Sequence, residues 1–253
     1  MIGLDTFADH FEEYSDQYIV IGGAACDDHF RDQGLEFRAT KDIDMILVVE
    51  ALADPFIAHF WEFVRQGKYE KNEVAVERQY YRFTNPETDD FPVQLELFSR
   101  TPDVITERED MRFTPIPADE DISSLSAILM DENYYKFTLE HSVQNGILRR
   151  ADDLALICLK ARAFIDLSER KAEGQRVDSS DIKKHKNDVF RLAATLLGDK
   201  HINLPDGIHG DVQKFVDQME QAQPETSQFL KAMGITGVDT EDLIGQLRET
   251  FKL

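Results

Sequence analysis

Two aspartates separated by one residue, Asp42 and Asp44, stand at the start of the apolar stretch "DIDMILVV". On a strand, residues i and i+2 project from the same face, so the two carboxylates share one small space while Ile43 faces the core. Left unpaired they would repel each other, and a divalent cation such as Mg²⁺, which prefers oxygen ligands, removes that repulsion. The pattern predicts a Mg²⁺ site, and a solvated start of the strand is the alternative.

Two adjacent glycines, Gly22 and Gly23, follow the short apolar segment "YIVI". The backbone must turn sharply there into a helix, and the missing side chains let a phosphate approach the helix N–H groups. Because Gly-Gly is common at turns, a plain strand-to-helix turn is the alternative.

A third acid, Glu96, lies in the alternating segment "PVQLELFSR". Its apolar neighbours at positions 93, 95 and 97 take one face of the predicted strand, so Glu96 takes the other. If this strand pairs beside the one that carries Asp44, Glu96 joins the aspartates as a metal ligand or as a general base. Otherwise it is a solvent-facing glutamate.

Two lysines occupy apolar positions of later predicted helices. Residues 154–165 wind into a helix that is apolar almost all round, which predicts a buried helix. Lys160 within it must reach water or an anion, so it either snorkels or points into a cleft that holds triphosphate. Lys186 lies in the apolar arc of the next helix and is a second candidate for phosphate contact.

The elements that carry these residues indicate an α/β (α+β) class. The first hundred residues alternate short helices with apolar segments, which predicts a mixed sheet with helices, and "TNPETDDFP" joins two antiparallel strands. Prolines and loop-like composition mark residues 101–125. We therefore expect a first domain over residues 1–110 and a mostly helical second domain over residues 111–253.

Charge and composition limit the possible partners. The 253 residues include 49 acidic and 28 basic residues, a formal net charge of −21, which disfavours broad binding to DNA or RNA. An RNA partner would need "RR" at 149–150 and "KKHK" at 183–186 to form one patch. The 2 cysteines suggest no disulfide framework, and no apolar run reaches membrane-spanning length. We expect a cytoplasmic protein without membrane association.

The order of these motifs resembles the nucleotidyltransferase fold shared with DNA polymerase β. More narrowly, "RATKDIDM" is similar to the Arg-x-Thr-x-Asp-Ile-Asp form of the nucleotidyl transferase AbiEii/AbiGii toxin family. The resemblance implies that the glycines hold a triphosphate, that the acids bind the metals, and that Arg38 and Thr40 belong to the nucleotide site.

The same family adds a lysine on a helix of the second domain, and a basic residue followed four positions later by an aspartate. The matching residues here are Lys160, Lys184 and Asp188. The family carries an acid directly after the basic residue, where this chain has His185. Lys184 and Asp188 are also spaced to pair with each other on one helix, which is a purely structural alternative.

The expected activity is transfer of a nucleoside monophosphate from an NTP to an acceptor, with release of pyrophosphate. The resemblance implies a tRNA or protein acceptor, as in toxin–antitoxin systems, and a cognate antitoxin as partner. Two alternatives stay open: the same chemistry on a small molecule, and a catalytically silent nucleotide-binding module.

Overall fold

The computed structural model describes residues 1–74, 80–100, 114–116, 128–129, 131–196, 198 and 200–253. It describes no side chains at 71–74, 80 and 114–116. The predicted strand residues at 75–79 and the domain boundary expected at residue 110 lie outside the described residues.

One mixed sheet forms the centre of the described structure, and its eight strands have the order β6-β3-β4-β5-β2-β1-β8-β7. β2 lies between an antiparallel neighbour, β1, and a parallel neighbour, β5. β4 and β5 are antiparallel, as predicted for the segments that flank "TNPETDDFP". The strands are β1 (Tyr18–Ile21), β2 (Asp42–Leu47), β3 (Glu70–Val74), β4 (Tyr80–Thr84), β5 (Gln94–Phe98), β6 (Thr114–Ile116), β7 (Ser142–Asn145) and β8 (Leu148–Ala151).

Helices cover the sheet and dominate the second half of the chain, so the expected α+β class is confirmed. Aspartates at 131, 152, 178 and 239 cap four of them by accepting backbone N–H groups. The helices are α1 (Leu4–His10), α2 (Gly22–Asp32), α3 (Asp54–Gly67), α4 (Glu132–Glu140), α5 (Asp153–Ala172), α6 (Ser179–Ala193), α7 (Asp206–Ala222), α8 (Ser227–Ala232) and α9 (Thr240–Phe251), with a 3₁₀ turn at Glu12–Tyr14.

Apolar packing unites the two halves of the chain. The α3 ring of Phe60 meets Phe83 of β4 at 5.5 Å between centroids, in an edge-to-face contact. α5 is buried almost all round, as its sequence predicts, and packs against α2, α6 and α7. Buried side chains from Phe7 to Phe251 belong to one continuous core. Within the described residues, no helix is long and apolar enough to span a membrane.

The hairpin formed by β7 and β8 was not predicted from the sequence. It comes from the part expected to be mostly helical, and β8 pairs in parallel with β1, with Val20 opposite Arg150. Its turn contains Asn145 and Gly146, a dipeptide that favours hairpins, and Gly146 has φ 57°. The second half of the chain therefore contributes two strands to the sheet.

Candidate functional site

The glycine turn is the first part of the site. β1 ends at Ile21, and α2 begins at once with Gly22, whose φ of 68° is left-handed. A Cβ on Gly22 would lie 2.0 Å from Oδ2 of Asp44, and a Cβ on Gly23 would lie 2.4 Å from Oγ1 of Thr40. A Cβ at either glycine would therefore force the facing side chain to move, so the turn packs closely on the start of β2 and the segment before it.

The carboxylates lie beside this turn. β2 and β5 pair so that Asp44 is opposite Glu96, which confirms the predicted neighbourhood of the two strands. Burial raises the pKa of Asp44 well above its usual range, and Glu96, which shares a side-chain hydrogen bond with it, raises it further. Burial also raises the pKa of Asp42, against the effect of nearby Lys184.

Glu96 is held by neighbours on both sides. It is only 5% exposed, so the alternative of a solvent-facing glutamate is wrong. Its Oε1 accepts hydrogen bonds from Nε of Arg82 at 2.7 Å and from Nε2 of Gln94 at 2.8 Å. These two donors fix the carboxylate toward Asp44.

The oxygen donors of Asp44 and Glu96 suit Mg²⁺. Among the residues that the structure describes, no group of three or more His, Cys, Asp or Glu side chains is arranged to hold a metal ion. Asp44 and Glu96 supply hard oxygen donors, and a cation would relieve the crowding that raises the pKa of Asp44. Metal binding by Asp42, Asp44 and Glu96 stays a prediction.

A buried carboxylate surrounded by cations forms the second part of the site. Asp188 of α6 is fully buried. Its Oδ2 accepts from Nη2 of Arg38 at 2.8 Å and from Nζ of Lys160 at 3.1 Å, and its Oδ1 accepts from Nη1 of Arg191 at 3.0 Å. We call these four residues the Asp188 cluster.

The Asp188 cluster carries more positive than negative charge. Burial acts to raise the pKa of Asp188, but Lys160 and Arg38 lower it to about 2, so the carboxylate is ionised at neutral pH. Three cations then surround one anion. Because Lys160 also lowers the pKa of Asp44, the cluster lies within electrostatic range of the carboxylates on β2. An anionic ligand beside the glycine turn would meet this excess charge.

Lys184 lies at the edge of the site. Its Nζ donates to Oδ1 of Asp181 at 2.8 Å, and its side chain is 52% exposed. The alternative that Lys184 pairs with Asp188 is wrong, because Asp188 points inward and its oxygens are taken by the cations of its cluster. Lys184 is nevertheless near enough to lower the pKa of Asp42.

Lys186 and Arg191 are two further basic residues of α6. Lys186 is half-buried, and burial, followed by the charge of Lys183, lowers its pKa. The sequence reasoning did not include Arg191, although its position three residues after Asp188 is a recognisable helix-pair spacing. It also did not include Arg82, whose contact depends on strand pairing.

The basic patch that an RNA partner would need does not include Arg150. This residue is buried, its Nε donates to Asp28 at 2.8 Å and its Nη2 donates to Asp32 at 3.0 Å. Its neighbour Arg149 donates to Ser142 and to a backbone carbonyl. The charge of Arg150 is therefore neutralised inside the protein by Asp28 and Asp32.

Comparison with protein-family models and with curated proteins finds no match to this chain. The likeness to the AbiEii/AbiGii toxin family thus rests on the glycine turn, the segment "RATKDID" and the residues around Lys160 and Asp188.

Proposed function

We propose that this protein is a Mg²⁺-dependent nucleotidyltransferase, which transfers a nucleoside monophosphate from an NTP to an acceptor hydroxyl and releases pyrophosphate. The observation that carries the proposal is the surroundings of Asp44. Its carboxylate touches the Gly22 turn, shares a hydrogen bond with Glu96 and feels the charge of Lys160. A phosphate cradle, a carboxylate pair and buried cations thereby adjoin one another.

Each part of the site has a role in this reaction. The N–H groups that begin α2 and the cations of the Asp188 cluster would hold the triphosphate. Mg²⁺, when held by Asp42 and Asp44, would neutralise the phosphate charge and favour in-line displacement. Glu96 would take the proton of the acceptor hydroxyl. The acceptor oxygen then forms a bond to the α-phosphorus, and the bond to the pyrophosphate oxygen breaks.

The contacts of the basic residues indicate which class of acceptor suits the site. Arg150 is paired internally with Asp28 and Asp32, so it does not contribute to the patch that a tRNA acceptor would require. A protein or a small molecule needs no such patch, so this observation favours one of these two acceptors over tRNA.

The test is a labelling experiment in a cell lysate. The protein is incubated with Mg²⁺ and each NTP labelled at the α-phosphate, and RNA, protein and small-molecule fractions are analysed by mass spectrometry. We expect one fraction to gain a nucleoside monophosphate while pyrophosphate is released. The labelled fraction identifies the acceptor class.

Two variants make the labelling test specific. Asp42→Asn and Asp44→Asn should each abolish Mg²⁺-dependent NTP binding and transfer while the protein remains folded, as judged by thermal unfolding. A wild-type protein that binds NTP but labels no fraction would support a silent binding module instead. Transfer that continues undiminished in both variants would exclude the proposed site.

A further inference from the structure

His185 is the residue of the site whose hydrogen bonding is incomplete. It follows Lys184 on α6 and precedes Asp188 by three residues, so it shares the helix face that Asp188 turns toward Lys160. Its Nδ1 is buried and has no hydrogen-bond partner in the described part of the chain. The residue as a whole is only partly buried.

Charged groups surround His185 from three elements. Lys160 faces it from α5, Arg38 faces it from the segment before β2, and Lys184 and Asp188 flank it on α6. Burial, and after it the charge of Lys160, lowers the pKa of His185 to about 3. The imidazole is therefore neutral at physiological pH. It offers a hydrogen bond without adding a further positive charge to the Asp188 cluster.

A buried nitrogen without a partner is unfavourable for folding, and it becomes favourable when a ligand supplies the missing atom. The neighbouring cations indicate the kind of atom, because Arg38, Lys160 and Arg191 exceed the single negative charge of Asp188. An anionic oxygen would satisfy the imidazole N–H and the excess charge together. A carboxylate at position 185, as in the resembling family, would repel such a ligand.

We propose that Nδ1 of His185 donates a hydrogen bond to a phosphate oxygen of the bound triphosphate, beside the ammonium of Lys160. This inference rests on the proposed function and adds a residue that determines how the site binds its phosphates. A hydrogen bond to a charged acceptor changes affinity by about tenfold or more.

The test uses inorganic tripolyphosphate, which has the phosphates but no nucleoside. Calorimetric titration compares the wild type with His185→Leu, which removes the donor, and His185→Asn, which keeps an N–H near the position of Nδ1. We expect the Leu variant to bind about tenfold more weakly and the Asn variant to stay within about threefold of the wild type. His185→Asp adds a negative charge and should bind more weakly still.

His209→Leu is the matched control, because His209 is also a partly buried histidine on a helix but lies on α7. It should bind tripolyphosphate as the wild type does. If His185→Leu fails to fold, NMR of ¹⁵N-histidine-labelled wild type replaces it. The Nδ1 resonance of His185 should then shift when tripolyphosphate is added, and an unchanged resonance overturns the inference.

The outcomes separate this inference from the proposed function. Unchanged tripolyphosphate binding in His185→Leu, together with NTP transfer by the wild type, overturns the inference and leaves the function intact. Weaker binding of NTP but not of tripolyphosphate also overturns it, because His185 would then contact the nucleoside. Tripolyphosphate binding that depends on His185 in a protein without transfer supports the inference and contradicts the function.

Discussion

The carboxylates on β2 and β5 lie close to the Asp188 cluster. The two groups differ in how their surroundings change the pKa of a buried carboxyl. Around Asp44, burial and then the like charge of Glu96 raise the pKa of the carboxyl, because ionisation is unfavourable there. Around Asp188, cations occupy both oxygens, and the pKa falls to about 2. A cationic ligand would stabilise the ionised form of Asp44, whereas the cations around Asp188 already stabilise its ionised form.

This difference predicts different effects on ligand binding and on folding. Removing a carboxylate from the group around Asp44 should weaken ligand binding but not destabilise the fold. Removing Asp188 should harm folding first, because three cations would lose their shared partner. Five predictions test the comparison, and they follow in order of expected effect.

Asp188→Asn should lower the free energy of unfolding by about 3–5 kcal/mol, the usual cost of breaking a buried ion pair from one side. Urea unfolding at pH 7 measures this. Asp181→Asn is the control, because Asp181 is an exposed acid on the same helix that pairs with Lys184. It should cost no more than about 1 kcal/mol. Equal effects of the two substitutions would contradict the structural role of Asp188.

The same carboxylate gives stability a definite pH dependence. Its pKa is about 2 in the folded protein, below the value of about 3.9 that is typical of unfolded chains. Asp188 therefore contributes its full stability above pH 4 or so, and that contribution is lost as the pH falls toward 2. Unfolding curves of the wild type and Asp188→Asn should converge over this acid range.

Lys160→Met should weaken NTP binding by about 1.5–3 kcal/mol, the range for a lost hydrogen bond to a charged group. The effect on folding should be smaller than that of Asp188→Asn, because Arg38 and Arg191 still bind Asp188. Lys186→Met provides the comparison in the same titration. If it weakens binding more than Lys160→Met, Lys186 is the phosphate-binding lysine instead.

Gly22→Ala should destabilise the protein more than Gly34→Ala, by about 1–3 kcal/mol for the added overpacking. Both glycines have left-handed φ, 68° and 69°, so the backbone strain is matched. A Cβ at Gly34 meets nothing within 4 Å, whereas at Gly22 it would collide with Asp44. Thermal unfolding gives the difference, and equal losses would show that the turn does not depend on this contact.

Asp44→Asn should leave the unliganded protein as stable as the wild type or raise its stability at pH 7 by on the order of 1 kcal/mol. An acid with a raised pKa contributes stability at low pH and loses that contribution as the pH rises through its folded pKa. The Asn variant should therefore lose less stability than the wild type between pH 4 and 7 or so. A loss as large as that of Asp188→Asn would refute the proposed difference between the two groups.

Local patterns in the sequence were sufficient for many of the elements, though not for the β7–β8 hairpin, and for several site residues. Alternation placed Glu96 on the face of Asp44, and the all-round apolar pattern predicted the burial of the helix that carries Lys160. Both inferences use the fixed geometry of one strand or one helix. They hold because these side chains are directed by their own element.

Partners that come from distant segments could not be predicted in this way. Helix spacing suggested that Asp188 binds Lys184. The carboxylate of Asp188 instead accepts hydrogen bonds from Arg38, which is 150 residues away in sequence, and from Lys160. Competition among several cations for one buried carboxylate depends on the packing of α5 and α6. The β7–β8 hairpin did have a local signal, Asn145-Gly146, but its place beside β1 depends on the whole sheet.

The parallel pairing of β8 with β1 determines when the sheet can be completed during synthesis. One edge of β1 is covered by β8, in which Arg150 lies opposite Val20. Until β8 leaves the ribosome, the nascent chain presents a fully apolar strand with one unpaired edge. That edge is a place where a chaperone can bind, or where two unfinished chains can associate.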